Sequence, residues 1–530
     1  MSTTHLIVLL GFLLLAGTSS SQPTSGDLAT LLAMKKQWGN PMQLASWDPV
    51  SNADHCNWTG VVCGGGEDRR AVTGVSLSKL NITGQVPESV CDLPSLTRFD
   101  LSYNNLTGSF PGVPLYACSH LRFLDLSNNS FHGVLPDDIS RLSPAMEHLN
   151  LSSNHFWGTV PAAVGGLQAL RSLRLDTNQF TGYYPTAEIS MLAGIEQLTL
   201  ALNPFAPAPA PPEFAKLTNL SYLWMSNMNM TGSIPKAYSS LENLMLFAMY
   251  GNKLTGEIPA WVWQHRKLQL LYLYNNTLTG KLPRKITSVN LIELDVSSNN
   301  LTGEIPDDFG SLKNLSILFM YSNQLTGTIP ASIARLPNLR DIRLFENNLS
   351  GEIPRELGKH SPLGNLDVCN NNLSGPLPDS LCANGKLYEI VIFKNHFSGM
   401  LPENLGDCVL LKNIILSYNR FSGEFPAKIW SLPRLTTVTI DYNGFTGTLP
   451  AKLSENISLI GIENNKFSGT FPTSATGLSV FKAENNMISG ELPAEMSKFP
   501  NLTELAMSGN QLTGSYQHQS FCCRSLSIST

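Results

Sequence analysis

The stretch LRDIRLFENNLSGEIP, residues 339–354, contains the two signatures that decide the fold. Leu339, Ile342 and Leu344 have the spacing of an extended strand that turns one side toward a core, and Asn347 follows three residues later. The stretch ends in a Gly-x-x-Pro tetrad, in which glycine permits a turn and proline fixes the segment after it. A segment this short buries its apolar side chains only against copies of itself.

The tetrad recurs along the chain, mostly at steps of about 24 residues. A degenerate unit fills the gap between Gly182 and Gly232, and Gly514 opens one more unit, so we count about nineteen units. The tetrad glycines stand at positions 84, 108, 133, 158, 182, 232, 256, 280, 303, 327, 351, 375, 399, 423, 447, 469 and 490.

The asparagine of the motif recurs in nearly every unit, with interruptions at Leu80 and Met228. A buried amide pairs with backbone groups of adjacent coils that an apolar residue leaves unpaired, so we expect an asparagine ladder. Stacked Leu-x-Leu segments predict an α/β repeat solenoid, a curved right-handed superhelix with a parallel concave β-sheet. Its ladder positions are 104, 129, 154, 178, 203, 252, 276, 299, 323, 347, 371, 395, 419, 443, 465, 486 and 510.

The two ends differ from the repeats. Residues 1–21 have an apolar stretch followed by small residues, which predicts a cleaved secretory signal; a membrane anchor, the alternative, needs roughly 20 apolar residues. Residues 22–66 predict an N-terminal cap, 67–514 the repeats, and 515–530 a disordered non-repeat tail. His518 with Cys522 and Cys523 in that tail lacks the further ligands of a metal site, so we expect no metal.

Composition and motifs argue against catalysis and nucleic-acid binding. The 530 residues have a formal net charge of −5, without the basic surplus of a nucleic-acid-binding protein. The chain contains no kinase motifs, and the glycines at 64–66 lack the strand, helix and lysine of a phosphate-binding loop. We therefore expect neither an enzyme nor a cofactor.

The text LTGEIP and the cap sequence CNWTGVVC resemble the ectodomains of plant leucine-rich-repeat receptor kinases. The stretches LALNPFAPAPAPPEFAKL and SLCANGKL followed by ENLGDC resemble the HAESA-like branch of that family. The resemblance implies an extracellular domain that binds a secreted peptide and pairs with a short-ectodomain co-receptor kinase. It places the protein in the secretory pathway and the apoplast, or at the plasma membrane if a full-length receptor is made.

The sequence departs from the family pattern in two places. Asn413 and Ile415 stand where many members have a pair of arginines that hold a peptide carboxylate, so carboxylate capture is not expected there. No further repeats, membrane helix or kinase follow Gly514. We therefore expect a truncated or alternatively spliced product that recruits a co-receptor weakly.

The resemblance implies a cap disulfide between Cys56 and Cys63. Two more cysteine pairs lie at similar offsets in adjacent coils and are expected within bridging distance, although buried thiols remain the alternative. These pairs are Cys91 with Cys118 and Cys382 with Cys408, which leaves Cys369, Cys522 and Cys523 unpaired.

Fourteen Asn-x-Ser/Thr sequons are expected glycan acceptors in a secreted chain, although the repeat text itself generates some of them. Asn150 falls on the strand face, where a glycan would direct ligand toward later coils. The sequons are Asn57, Asn81, Asn105, Asn128, Asn150, Asn219, Asn229, Asn275, Asn300, Asn314, Asn348, Asn372, Asn456 and Asn501.

Residues six, four and two positions before the ladder asparagine are expected to face outward from the sheet. Early coils have polar residues there, such as Arg98 and Ser127, but aromatic residues accumulate from the sixth coil onward. Interfaces favour tyrosine, tryptophan and arginine, which predicts a ligand site; the alternative is that the aromatics only pack on each other. The predicted ligand-binding residues are Tyr222, Trp224, Tyr250, Tyr272, Tyr274, Phe319, Tyr321, Asp341, Arg343, Phe345, Asp367 and Phe393.

A second function remains open. The chain also resembles secreted inhibitors of polygalacturonase, which have similar repeats and a similar cap. That resemblance implies a shorter array of roughly ten coils. A secreted binding protein of this type, or a soluble decoy, is therefore the alternative to a receptor ectodomain.

Overall fold

The computed structural model describes residues 26–64, 70–493, 496–514 and 527–529. The predicted signal at 1–21 lies outside them, as do His518, Cys522 and Cys523. The chain divides into two compact units, and each is described by itself. Unit 1 contains Met1–Phe131 and Arg141–Met146, and unit 2 contains His132–Ser140 and Glu147–Thr530.

Unit 1 begins with the expected cap. The helix Gly26–Gln37 turns Leu31 and Met34 inward, and Asp27 at its first turn accepts a hydrogen bond from the main-chain N of Val72 at 2.7 Å. Trp47 is fully buried, stacks on Trp58 at 6.0 Å and donates its indole N–H to the carbonyl of Thr59. These contacts cover the first apolar coil of the unit.

Each coil contributes one short strand to a parallel sheet, in register with the next coil. Asp341, Ile342 and Arg343, for example, pair with Asn365, Leu366 and Asp367. In unit 1 the parallel strands are Val72–Ser76, Arg98–Asp100 and Phe123–Asp125, with Val61–Cys63 antiparallel at the cap. In unit 2 they are His148–Asn150, Ser172–Arg174, Gln197–Thr199, Tyr222–Trp224, Leu246–Ala248, Leu270–Tyr272, Glu293–Asp295, Ile317–Phe319, Asp341–Arg343, Asn365–Asp367, Glu389–Val391, Asn413–Ile415, Thr437–Thr439, Leu459–Gly461, Val480–Lys482, Glu504–Ala506 and Ser527–Ser529.

A second set of short parallel strands follows the ladder asparagines and ends near the tetrad glycines. These strands are Thr83–Gly84, Asn105–Gly108, Ser130–Gly133, His155–Gly158, Gln179–Phe180, Thr231–Gly232, Lys253–Leu254, Thr302–Glu304, Gln324–Gly327, Asn348–Gly351, Asn372–Gly375, His396–Gly399, Arg420–Glu424, Gly444–Thr448, Lys466–Ser468, Ser489–Gly490 and Gln511–Leu512. Gly351 has a φ of 77°, and a Cβ there would lie 2.8 Å from the Thr328 side chain of the preceding coil. Both the left-handed backbone and the close approach require glycine at this turn.

The return segments are mostly 3₁₀ helices of three to five residues. Besides the cap helix, the α-helices are Gly112–Leu115, Thr186–Ile189 and Ala260–Gln264. The 3₁₀ helices are Met42–Leu44, His55–Asn57, Glu88–Asp92, Ile139–Arg141, Ala162–Gly166, Pro212–Lys216, Lys236–Ser240, Asp307–Ser311, Ile333–Arg335, Asp379–Cys382, Glu403–Asp407, Ala427–Ser431 and Met496–Lys498.

The asparagine ladder forms as expected. The Nδ2 of Asn347 donates to the carbonyl of Met320 in the preceding coil at 3.0 Å and to Leu344 in its own coil at 3.1 Å. Its Oδ1 accepts the main-chain N–H of Leu325, also in the preceding coil, at 3.0 Å. Where Met228 interrupts the ladder, the next asparagine accepts the N–H groups of both Met228 and Met230, so the backbone stays paired.

The residue just before each ladder position has a left-handed backbone. Tyr103, Glu346, Tyr418 and Tyr442 are among these residues, with φ between 51° and 56°. This conformation is uncommon for residues other than glycine and asparagine, and here the hydrogen bonds of the following asparagine hold it in place. It also turns the side chain of that residue away from the direction of the strand residues before it.

Three disulfides join the same cysteine pairs that we predicted. The Cα–Cα distances are 5.6 Å for Cys56–Cys63, 4.8 Å for Cys91–Cys118 and 5.8 Å for Cys382–Cys408. Among the described cysteines, Cys369 is free and buried, and burial raises the pKa of its thiol.

Three residues of the predicted tail lie within the described part of the chain. Ser527–Ser529 form a strand that pairs in parallel with Glu504–Ala506, as each coil pairs with the one before it. Within the described ranges, no helix combines the length and the apolar character that crossing a bilayer requires.

Candidate ligand-binding face

The parallel strands of unit 2 place the twelve predicted ligand-binding residues on one face of the sheet. The alternation of a strand explains this placement, since the inward neighbours Ile342 and Leu344 are fully buried while Asp341 and Arg343 point out. All twelve predicted residues are half-buried. We call the outward side chains from Tyr222 to Phe393 the aromatic face.

Within the aromatic face, residues two positions before the ladder asparagines form two stacks. Tyr250 and Tyr274 lie parallel with ring centroids 4.4 Å apart, and Tyr321 and Phe345 do the same at 4.3 Å. The alternative that these aromatics pack on each other is therefore correct within each stack. The coil between the stacks has Ser297 at this position, and its side chain is fully buried.

A depression of about 440 Å³ opens on this face. Its lining residues are Tyr250, Tyr272, Tyr274, Asp295, Phe319 and Tyr321. Asp295 is 8% exposed, and its Oδ1 accepts hydrogen bonds from the main-chain N and the hydroxyl of Ser297. Burial raises the pKa of the Asp295 carboxyl, because the charged form loses hydration there.

Tyr272 stands at one flank of the depression and donates its hydroxyl hydrogen to the Glu293 carboxylate. Burial first, and then this hydrogen bond and the charge of Glu293, raise the pKa of the Tyr272 phenol. Tyr272 is therefore a neutral hydrogen-bond donor that is oriented before any ligand arrives.

Arg343 is held by its own strand. Its Nε and one terminal nitrogen donate to the two carboxylate oxygens of Asp341 at 3.0 and 2.9 Å, and its guanidinium lies 4.7 Å from the centre of the Phe319 ring. The hydrogen bond to Asp341 raises the pKa of Arg343. A ligand carboxylate at Arg343 would have to compete with Asp341 for the same donors.

The remaining predicted residues lie toward the two ends of the face. Burial raises the pKa of Tyr222, and the indole N–H of Trp224 is buried without a hydrogen-bond partner. Burial also raises the pKa of Asp367, which accepts the N–H of Cys369 at 3.3 Å. These residues extend the aromatic face beyond the depression but do not line it.

The strand Asn413–Ile415 offers no cation to a ligand. Asn413 Nδ2 donates to Glu389 Oε1 at 2.7 Å, and its Oδ1 accepts the hydroxyl of Thr436 at 3.1 Å. Ile415 has no polar group. The amide is thus already used between neighbouring coils, and carboxylate capture has no donor on this strand.

One aromatic pair escaped the prediction. Tyr418 and Tyr442 stack at 4.4 Å and remain 47% and 48% exposed. They occupy the left-handed position just before Asn419 and Asn443, which strand alternation does not assign to the outward face. The recurrent Tyr-Asn text at 418–419 and 442–443 is the signal that could have found them.

Twelve of the fourteen sequon asparagines are exposed, and Asn128 and Asn150 are half-buried. Asn150 lies on the strand face of unit 2, where its Oδ1 accepts the N–H and hydroxyl of Ser152. Asn219, Asn314 and Asn501 share one offset along an exposed edge, and each donates to a main-chain carbonyl of the preceding coil.

The described residues bring one histidine close to two cysteines, His55 with Cys56 and Cys63. The two sulfurs are bonded to each other and do not act as thiolate ligands. His55 Nε2 lies 2.9 Å from the carbonyl of Arg70. The cluster is thus part of the cap, and we assign no metal to it.

Comparison with known proteins agrees with this architecture. The Leucine rich repeat N-terminal domain matches residues 24–64, and Leucine rich repeat models match 94–156, 289–349 and 363–384. Receptor-like protein kinase HAIKU2 from Arabidopsis thaliana is 31% identical over 239 residues, 43% of this chain and 21% of that protein. Polygalacturonase inhibitor 2 from Arabidopsis thaliana is 42% identical over 83 residues, 16% of this chain and 24% of that protein. The chain spans less than a third of the length of these two relatives.

Among solved structures, the chain is similar to the Arabidopsis receptor kinase HAESA in complex with the peptide hormone IDA and the co-receptor SERK1. The identity is 33%, the TM-score is 0.87, and the match covers 92% of this chain and 86% of that chain. The repeats, the cap and the stacked strands thus extend over nearly the whole of a known receptor ectodomain. The chain belongs to the leucine-rich-repeat ectodomains of plant receptor kinases.

Proposed function

We propose that the chain is the ligand-binding part of a cell-surface receptor and holds an extended secreted peptide along the aromatic face. The observation that carries the proposal is the depression between the stacks Tyr250–Tyr274 and Tyr321–Phe345, flanked by the preoriented hydroxyl of Tyr272. Half-buried aromatic side chains around a concave site are typical of binding hot spots, because they offer large contact area at low entropy cost.

The length of the face suits a peptide. The face spans eight strands, from Tyr222–Trp224 to Glu389–Val391. Neighbouring strands lie about 4.8 Å apart, so the seven steps between them extend over roughly 34 Å. An extended peptide advances about 3.3 Å per residue, so roughly ten residues would cover it. The resemblance to HAESA, which was solved with a peptide hormone, supports the same ligand class here.

Location and partners follow from the same proposal. An extracellular receptor domain requires entry into the secretory pathway, which the apolar segment at 1–21 would provide. The exposed sequons would then be glycosylated. A short-ectodomain co-receptor kinase is the proposed partner, by analogy with the HAESA complex that contains SERK1.

A selection from a randomised dodecapeptide library on the secreted chain tests the proposal. We expect enriched peptides whose binding falls at least tenfold in Tyr321→Ala and stays within twofold in Arg98→Ala, a change on the strands of unit 1. Enriched peptides that bind both variants as they bind the unchanged chain would contradict the assignment to this face.

A secreted inhibitor is the second candidate, favoured by the match to Polygalacturonase inhibitor 2. That match covers 16% of this chain. Inhibition of a purified polygalacturonase by the secreted chain, lost in strand-face variants, would favour it over peptide binding.

A further inference from the structure

A single serine interrupts the aromatic column of the face. In four of five consecutive coils the position two before the ladder asparagine is Tyr250, Tyr274, Tyr321 or Phe345, and in the middle coil it is Ser297. The serine side chain is fully buried, so it does not fill the space between the rings on either side. We call the gap between Tyr274 and Tyr321, with Ser297 at its base, the tyrosine slot.

The width of the tyrosine slot follows from the repeat. Tyr274 and Tyr321 are two coils apart, so their rings are separated by roughly 10 Å at about 4.8 Å per strand. A cation midway between them would lie about 5 Å from each ring, within the distance of roughly 6 Å at which aromatic faces attract cations. Stacking of Tyr274 on Tyr250 and of Tyr321 on Phe345 holds both walls in place.

The floor of the tyrosine slot is acidic. Asp295 belongs to the same coil as Ser297 and lines the depression together with Tyr274 and Tyr321. It is 8% exposed, and two hydrogen bonds from Ser297 fix its carboxylate. A carboxylate this deeply buried favours a ligand that supplies positive charge.

The cation that the protein itself provides is already engaged. The positive charge of Arg343 acts on Asp295. However, the N–H groups of its Nε and of one terminal nitrogen already donate to the carboxylate of Asp341. Glu293 adds a second carboxylate at the flank, where it accepts the hydrogen of Tyr272. The tyrosine slot thus combines two aromatic walls with more negative than positive charge.

We propose that the tyrosine slot binds the guanidinium group of an arginine side chain in the ligand. The guanidinium is a flat cation that fits between the two rings at cation–π distance, and its edge retains N–H donors for Asp295. An uncharged side chain would fill the same space but leave the carboxylate without a counter-charge. This inference rests on the proposed peptide binding and adds the chemistry of one anchoring side chain.

The test uses synthetic peptides from the library selection described above, each with its arginine replaced in turn by citrulline. Citrulline has nearly the same shape as arginine but no charge. Affinity is measured by isothermal titration on the secreted full chain and on two variants, Asp295→Asn and Asp100→Asn. Asp100 is the matched control, because it is also 8% exposed and accepts the same two hydrogen bonds from Ser102.

We expect at least a tenfold loss of affinity for citrulline at one position of the peptide. We further expect Asp295→Asn to weaken the arginine peptide by a similar factor, to leave the citrulline peptide unchanged, and Asp100→Asn to change neither. Circular dichroism of both variants checks that the fold is retained. Ser297→Phe fills the slot and removes the hydroxyl hydrogen bond to Asp295 while the main-chain hydrogen bond remains, so it should also weaken binding of the arginine peptide.

Two outcomes would overturn the inference, and they differ in what they mean for the proposed function. Peptides that depend on Tyr321 but bind equally well with citrulline show that the face binds peptide without an arginine anchor. A selection that yields no peptide dependent on Tyr321 removes the proposed function as well.

Discussion

Asp100 in unit 1 and Asp295 in unit 2 occupy the same position of their strands and accept the same two hydrogen bonds from the following serine. Their neighbours differ. Asp100 also accepts a hydrogen bond from Arg98, whose guanidinium covers the Phe123 ring at 3.6 Å. In unit 1 the guanidinium of Arg98 therefore contacts both the Asp100 carboxylate and the Phe123 ring. In unit 2 Asp295 lies at the base of an open gap between rings.

This difference distinguishes the residues that form each coil from the outward residues that a ligand could contact. The inward leucines and the ladder asparagines are alike in both units, so they determine that a coil forms but not what it binds. The three outward positions of each strand differ from coil to coil. On the proposed function, binding specificity would depend on these outward side chains.

The largest expected effect tests the shared scaffold. Asn347→Ala removes three donated hydrogen bonds and one accepted bond in the buried ladder and should cost about 2–4 kcal/mol in the free energy of unfolding. Asn104→Ala should cost a similar amount in unit 1. Thermal unfolding and secretion yield measure both.

The exposed Asn338 is the matched control, since it makes one hydrogen bond, to the carbonyl of Lys313 at 2.9 Å. We expect Asn338→Ala to cost less than about 1 kcal/mol. A ladder change that is harmless in one unit and severe in the other would show that the two units do not share one scaffold.

The next effect compares the aromatic face of unit 2 with the outward strand residues of unit 1. Tyr272→Ala removes a lining ring and the donor to Glu293, and should weaken peptide binding at least tenfold, about 1.4 kcal/mol or more. Ser127→Ala in unit 1 should leave affinity within twofold. Titration of a selected peptide against both variants measures the contrast, and the reverse order of effects would place the ligand on unit 1.

A smaller effect concerns Arg343, which the sequence alone marks as a direct ligand contact. Because Asp341 holds the guanidinium, we expect Arg343 to position Phe319 and its surroundings. Arg343→Ala should weaken peptide binding about threefold to tenfold, and Asp341→Ala by a similar factor. The double variant should be no worse than either single one, with a coupling of about 1 kcal/mol. Additive losses would instead show that each side chain contacts the ligand.

The smallest effect is on stability. Burial raises the pKa of Asp295 above the ordinary value of 3.8, so the folded state carries a cost for the charged form at neutral pH. We expect Asp295→Asn, which keeps an acceptor for Ser297, to be slightly more stable than the unchanged chain at pH 7. The advantage should shrink as the pH falls through the raised pKa and vanish below the unfolded value. A constant difference across this range would mean that the charge of Asp295 is not the cause.

The sequence was sufficient for the inward strand positions, the asparagine ladder and the cysteine pairs. Ile342 and Leu344 are buried, Asn347 is in the ladder, and Cys382 lies beside Cys408, because one period places equivalent residues of adjacent coils together. Features that depend on direction within one coil were not predictable in this way. Tyr418 takes its outward direction from a left-handed backbone, which strand alternation does not describe.

Pairing within the face was equally hidden from the sequence. Asp341 and Arg343 are both outward residues of one strand, and only the side-chain conformations decide that they bind each other. The tyrosine slot could not be predicted either, because a serine between aromatic positions in the sequence does not indicate a gap. The gap exists because stacking holds the rings of Tyr274 and Tyr321 in place on both sides of Ser297.

The hydrogen bonds of the ladder all reach backward along the chain, which has a consequence for biosynthesis. Asn347 pairs with the main chain of the coil before it at Met320 and Leu325, and Asn371 in turn pairs with the coil of Asn347 at Leu344 and Leu349. During synthesis each coil is thus sealed only when about 24 more residues have emerged, roughly one to five seconds later at 5–20 residues per second. We therefore expect assembly to proceed from the N-terminal end, with the newest coil unsealed until the next one emerges.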